Sequence, residues 1–197
     1  MTRTLKIIVV HSFGLAMLCM ASLASAEMFV KYEGIDGEAM GPDGNDDWFV
    51  ADSFSFGVER EMKESGEKGG TQDINIGLGE LQECTLSKSV DKSSAMLAQH
   101  AINGKSLGMC EVCLSDTVDG SDTPICYAHY VMERCYVKSW STSGDADDRP
   151  TEEVAFYYNK IAFAVEETDP LDGMNWDNEK NRPWREGLDW LFDFSGR

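Results

Sequence analysis

Residues 153–166, EVAFYYNKIAFAVE, constrain the fold of this chain more than any other stretch. Read as a strand of period two, Val154, Phe156, Tyr158, Lys160, Ala162 and Ala164 fall on one face, and Ala155, Tyr157, Asn159, Ile161, Phe163 and Val165 on the other. Both faces carry large apolar groups, so neither suits the wet side of a half-exposed sheet. The outer face must be covered, by another layer or by a neighbouring subunit. The same alternation recurs through residues 28–33, 48–59, 84–88, 107–115 and 125–142. Within 48–59, Trp48 and Val50, then Phe54, Phe56 and Val58, share a phase. Loops are marked at 34–47 by glycines and Pro42, at 64–79 by glycines, and at 143–150 by polar and acidic residues. One helix is expected over residues 94–102: Ser93 or Ser94 starts it, Met96, Leu97 and Ala101 can pack on a sheet, and Gly104 stops it. The chain is therefore mainly β, with a single flanking α-helix.

The first 26 residues have a basic start (Arg3, Lys6), an apolar run over 7–23 and the small-residue ending Ala24-Ser25-Ala26. This is the pattern of a secretory signal peptide cleaved before Glu27, which directs the protein to a secreted or periplasmic destination. An uncleaved membrane anchor is the alternative, because the apolar run approaches spanning length. A lipid anchor through Cys19 is disfavoured, because Leu18 stands where such sites have a small residue. No segment after residue 26 is apolar and long enough to span a bilayer as a helix.

Lysine and arginine number 17 against 35 aspartates and glutamates, and two of the basic residues lie in the leader, leaving 15 against 35 after cleavage. Such a surface repels nucleic acid and anionic lipid. The acid is spread over residues 43–47, 59–67, 145–148 and 166–172, a pattern of solvated loops and strand ends, with calcium or a cationic partner as the alternative. Five cysteines remain after cleavage: Cys84, Cys110, Cys113, Cys126 and Cys135. An exported chain would ordinarily pair them into two disulfides with one thiol left over. Cys110-Glu-Val-Cys113 has the spacing of half a zinc site or a redox pair, but strand alternation points the two side chains to opposite faces.

No convergent catalytic set is legible. His100 and His129 are the histidines beyond the leader, no nucleophile motif accompanies them, and the glycine-rich 64–79 stretch lacks the pattern of a phosphate loop. A non-enzymatic protein without a cofactor is expected. The tail, residues 168–197, holds Trp176, Trp184 and Trp190 and the apolar cluster Leu188, Trp190, Leu191, Phe192 and Phe194 among acidic residues. That aromatic load suits a strap over the protein's own sheet or a docking segment for another subunit or an envelope partner.

Four motifs in order carry a family resemblance. They are MFVKYEGIDGE at 28–38, SFSFGV at 53–58, the helix start Asp91-Lys92-Ser93-Ser94, and a C-terminal hairpin. The hairpin matches through residues 139–144 with Ser141 and Thr142, through Pro150-Thr151-Glu152-Glu153, and through residues 159–163. Together they resemble the tube-forming Hcp family of type VI secretion, over roughly residues 28–166. The resemblance implies a compact two-sheet β-barrel with one helix, assembling edge to edge into a homo-oligomeric ring, a hexamer, that stacks into a tube carrying secreted effectors. It makes the loops 34–47 and 143–150 candidates for bridging subunits. The chain then divides into a signal peptide (1–26), a barrel domain (27–167) and an acidic, Trp-rich extension (168–197).

One departure matters: tube subunits of the family are exported by the machine itself, without a cleavable signal. Two functions therefore stand. The first is a structural tube and effector-carrier component. The second is a secreted envelope or extracellular binding module that keeps the fold without the tube.

Overall fold

The computed structural model describes residues 26–64, 74–116, 124–165, 174–180 and 182–184. The expected signal peptide, apart from Ala26, and the apolar cluster at 188–194 lie outside them. In chain order the elements are β1 (Ala26–Tyr32), β2 (Phe49–Val50), β3 (Ser53–Ser55), β4 (Val58–Glu64), β5 (Ile74–Leu81), β6 (Cys84–Ser89), α1 (Ser94–Asn103), β7 (Ser106–Asp116), β8 (Ile125–Ser143), β9 (Thr151–Tyr157), β10 (Lys160–Val165) and β11 (Met174–Asp177).

Nine strands form one antiparallel sheet in the order β2-β1-β7-β8-β9-β6-β3, with β10 paired to β8 and β11 paired to β10; β4 and β5 form a separate hairpin. The sheet curls on itself. Tyr32 of β1 and Phe156 of β9 lie three strands apart along the ladder, yet their rings meet at 4.8 Å. Phe54 of β3 likewise meets Tyr130 of β8 at 4.8 Å. The inner faces thus enclose one main core, with Val30, Phe49, Leu86, Cys110, Val112, Met132, Val154 and Ile161 buried in it and Leu97 of α1 packed among them. Of the expected two-sheet β-barrel, two sheets are present, but the barrel is corrected to a rolled sheet: among the described strands the hydrogen-bonded path runs from β2 to β3 without joining its ends. Side-chain packing does the closing that backbone ladders would do in a barrel.

Three strand expectations change. The single strand at 48–59 is divided into β2, β3 and the start of β4, because the chain changes partners: Ala51 N–H donates to Met28 O and Asp52 N–H to Ser87 O, both at 2.8 Å. The stretch 74–79, expected within a loop, belongs to β5. The expected strand 153–166 is broken at Tyr158 and Asn159 into β9 and β10. Both run antiparallel to the same long β8, on either side of Arg134, whose φ is +57°. Burial changes phase there: Val154, Phe156 and Tyr158 face the main core before the break and Ile161 after it, just as Met132 precedes and Cys135 and Val137 follow Arg134. An extra residue in a strand bends it and increases local twist, which lets this long hairpin wrap the core. The slip turns Ala162 and Ala164 to the outer face, so the expected face assignment holds only as far as Tyr158.

The helix ends one residue later than expected, with Gly104 at φ +66° in the left-handed region that glycine tolerates. Ser93 occupies its N-cap position without a side-chain cap bond. Asp91 organises the helix start instead, accepting from Ser93 N and Ser93 Oγ.

Candidate functional site

The family-motif residues converge on a buried ammonium. Cys84, Leu86 and Lys88 share the inward phase of β6, so Lys88 enters the core fully buried, opposite Glu152 of β9 in register. Its Nζ lies 2.6 Å from Asp91 Oδ1 and 2.9 Å from Glu152 Oε1, and donates to the Ser89 carbonyl at 3.1 Å. It also donates to Ser94 Oγ at 3.4 Å, so two carboxylates pair with its charge while the Ser89 carbonyl and the Ser94 hydroxyl accept from it. The Phe49 ring lies 5.1 Å from the nitrogen. Glu152 Oε2 accepts from Trp140 Nε1 at 3.0 Å. Asp91 Oδ1 accepts from Ser93 N at 2.8 Å and Ser93 Oγ at 2.6 Å, and Asp91 N donates to Ser94 Oγ at 2.9 Å. Aspartate thus organises the helix start, and one lysine ties it to the C-terminal hairpin. Of the other motif positions, Lys92, Ser141, Thr142, Pro150 and Thr151 are exposed; Thr142 Oγ1 donates to Thr151 O at 3.0 Å, and Pro150 O accepts from Val90 N at 2.9 Å.

Burial alone would raise the Asp91 carboxyl, but hydrogen bonds from Lys88 and Ser93 and the Lys88 charge outweigh it and hold the group below its usual value. A carboxylate with a lowered folded pKa stabilises above its unfolded value, near 4, and loses that contribution as pH falls through the folded one. Thermal unfolding midpoints are therefore expected to fall steeply from about pH 5 to pH 3, and less steeply in Asp91→Asn. Parallel profiles for the two proteins would remove Asp91 as a cause.

A second charged cluster folds the 34–47 loop. Lys31 lies 2.7 Å from Asp47 and 3.3 Å from Asp43, and Asp43 also accepts from Trp48 Nε1 at 2.8 Å. A Cβ at Gly41 would stand 2.1 Å from the Trp48 ring, so only glycine permits this approach. Arg149 and Glu38 pair at 3.2 Å, joining the 143–150 loop to the 34–47 loop. His129 lies 3.1 Å from Glu111, and His100 Nδ1 lies 3.2 Å from Lys105 O. Among the described residues, no group of three or more His, Cys, Asp or Glu is arranged to hold a metal, and no helix is long and apolar enough to cross a membrane.

Cys110 and Cys113 do face opposite ways. Cys110 lies in the main core, while Cys113 packs with Phe29, Trp48 and Cys126. Cys113 and Cys126 stand at disulfide distance, with Cα atoms 5.5 Å apart, whereas Cys84, Cys110 and Cys135 are buried without a disulfide partner. One pair thus stands at disulfide distance, and the other three cysteines sit where the core buries them. Burial, then neighbouring thiols, pushes Cys84 and Cys110 up from the ordinary thiol range, which suppresses thiolate chemistry. The chain beginning at Glu27 is expected to show three free thiols when denatured without reduction, and almost none towards a charged alkylating reagent when native. Five in the denatured protein would reject the pairing.

The described part of the tail covers the outer face. β11 extends the edge of β10, and Trp184 is buried with Val131, Ala162 and Ala164. Lys160 Nζ stands 5.0 Å from its ring.

Among the described residues, a rolled antiparallel sheet locked to α1 by a buried ion network defines a mainly β protein class. The chain belongs to the family described as type VI secretion system effector, Hcp, whose model matches residues 29–165. Among solved structures it is similar to one titled a type six secretion system protein, at 20% identity and a TM-score of 0.67, over 81% of this chain and 100% of that one. Hcp1 from Salmonella typhimurium is similar at 17% identity and a TM-score of 0.61, over 81% and 100%. The secreted protein Hcp3 from Pseudomonas aeruginosa follows at 19% and 0.51, over 82% and 100%. At these identities the likeness is one of fold. The comparison with curated protein sequences finds no match.

Lys88 escaped the reading of the sequence, although a signal was present. Lys88 continues the inward phase of Cys84 and Leu86, and Glu152 that of Val154 and Phe156. Two opposite charges at core positions of separate strands are the mark of a buried pair.

Proposed function

We propose that the mature chain is a non-enzymatic subunit that assembles into a six-membered ring and serves as a tube or effector-carrier component related to type VI secretion. The observation that carries this reading is the family match across residues 29–165, nearly the whole rolled sheet. The Arg149–Glu38 pair supports it, because it gathers the two candidate bridging loops onto one surface. Solution mass of the chain beginning at Glu27 is expected to be six times the subunit mass. A strictly monomeric protein at high concentration overturns the ring and leaves only the fold.

A second reading, a secreted envelope or binding module on the same fold, is favoured by two features. They are the Arg3/Lys6 leader ending Ala24-Ser25-Ala26 and the Cys113–Cys126 pair, which suits an oxidising destination. Under either reading the partner is an effector or an envelope protein. Exported protein is expected to have an intact mass starting at Glu27. Full-length chain retained in the cytoplasm would remove the export route.

A further inference from the structure

Between the β4–β5 hairpin and β11 lies a groove of about 350 Å³, lined chiefly by Val58, Leu78, Leu81, Met174 and Trp176, with Arg60 at its wall. Its hairpin side is left open to water: Leu78 is 74% exposed and Val58 55%. Apolar side chains held apart in this way, over a cavity of ligand-pocket size, mark a docking surface. We propose that its occupant is the C-terminal segment of this same chain, residues 188–194, LDWLFDF.

Three observations select that segment. Its pattern fits: in an extended conformation Leu188, Trp190, Phe192 and Phe194 share one face and Asp189, Leu191 and Asp193 the other. One face can therefore enter the apolar groove while the aspartates stay at its rim, where Arg60 supplies the opposite charge. The tether also reaches. Asp177, next to the groove-lining Trp176, is bridged to Arg182, and Trp184 is seated on the outer face of the adjacent strand β10. The chain must round one strand edge to reach the groove, on the order of 10 Å, and four extended residues from Trp184 to Leu188 span about 13 Å. Finally, a short tether holds its segment at an effective concentration of order mM, which a free copy does not match in dilute solution. This inference does not rest on ring formation.

The test places a photo-crosslinking benzoylphenylalanine at position 190 of the chain beginning at Glu27, followed by irradiation at low micromolar concentration. The product is run on a denaturing gel, and crosslinked peptides are mapped by mass spectrometry. Product of monomer mass, linking position 190 to β4, β5 or β11, is the expected result. Product of dimer mass makes a second copy the occupant and overturns the proposal, as do links confined to other surfaces. Leu78→Asp, at an exposed position, is expected to leave the far-ultraviolet spectrum unchanged and to reduce the crosslink at least fivefold. An undiminished crosslink in that variant also overturns it.

Discussion

Replacing Lys88 by methionine is expected to lower stability by about 3–5 kcal/mol, because it strands Asp91 and Glu152 in the core without their cation. That is a large part of the roughly 5–15 kcal/mol that holds a typical domain together. The thermal midpoint should drop by on the order of 10 °C, with a matching shift in the urea midpoint at unchanged slope. The geometry makes the change severe: Lys88 is fully buried, donates to the Ser89 carbonyl and the Ser94 hydroxyl, and is the cation paired with Asp91 at the helix start and Glu152 on β9. Adding Glu152→Leu to Lys88→Met should recover part of the loss, because a buried pair is more easily replaced as a pair than halved. A loss under about 1 kcal/mol for the single variant would show that the network is peripheral to stability.

Trp184→Ala is expected to release the strap. The indole is buried against Val131, Ala162 and Ala164, and truncating a buried tryptophan costs about 3–5 kcal/mol. The damage should be local, because β11 is held by one neighbouring strand, β10, rather than by the interior of the sheet. Amide exchange in β11 is expected to accelerate about a hundredfold or more, while the centre of the β7–β8 pair keeps its protection. The uncovered face of β10 should then bind a hydrophobic dye. Unchanged exchange in β11 would mean that the strand is held by its ladder alone, without the tryptophan.

Much of the fold was legible because a period of two is a local property. The strands at 84–89, 106–116 and 125–143 and the helix at 94–103 were expected to within a residue or two, since their faces are written in consecutive side chains and their ends in Gly104 and the loops. What failed did so where a strand changes partner or phase. Residues 48–59 alternate smoothly, yet hydrogen bonds from Ala51 and Asp52 send successive pieces to different strands. Alternation also hid the slip at Asn159, because apolar residues on both faces look the same after a shift of one. The candidate site was half legible. Asp91, Ser93, Ser94 and Glu152 stood out as motif residues, but the lysine that joins them lies outside those motifs.

The sequence by itself pointed to a mainly β protein with a helix near residues 94–103, to a final strand with large apolar groups on both faces, and to Cys110 and Cys113 on opposite faces of one strand. Each of these follows from side-chain spacing, which a strand or helix converts directly into a face. Only the tertiary structure decided that the sheet rolls without closing its ladder, that Lys88 pins helix to hairpin, that Cys113 meets Cys126, and that Trp184 caps the outer face. All four depend on residues distant in sequence becoming neighbours. Bulges, register and packing set those encounters, and none of them is written in the local spacing of side chains.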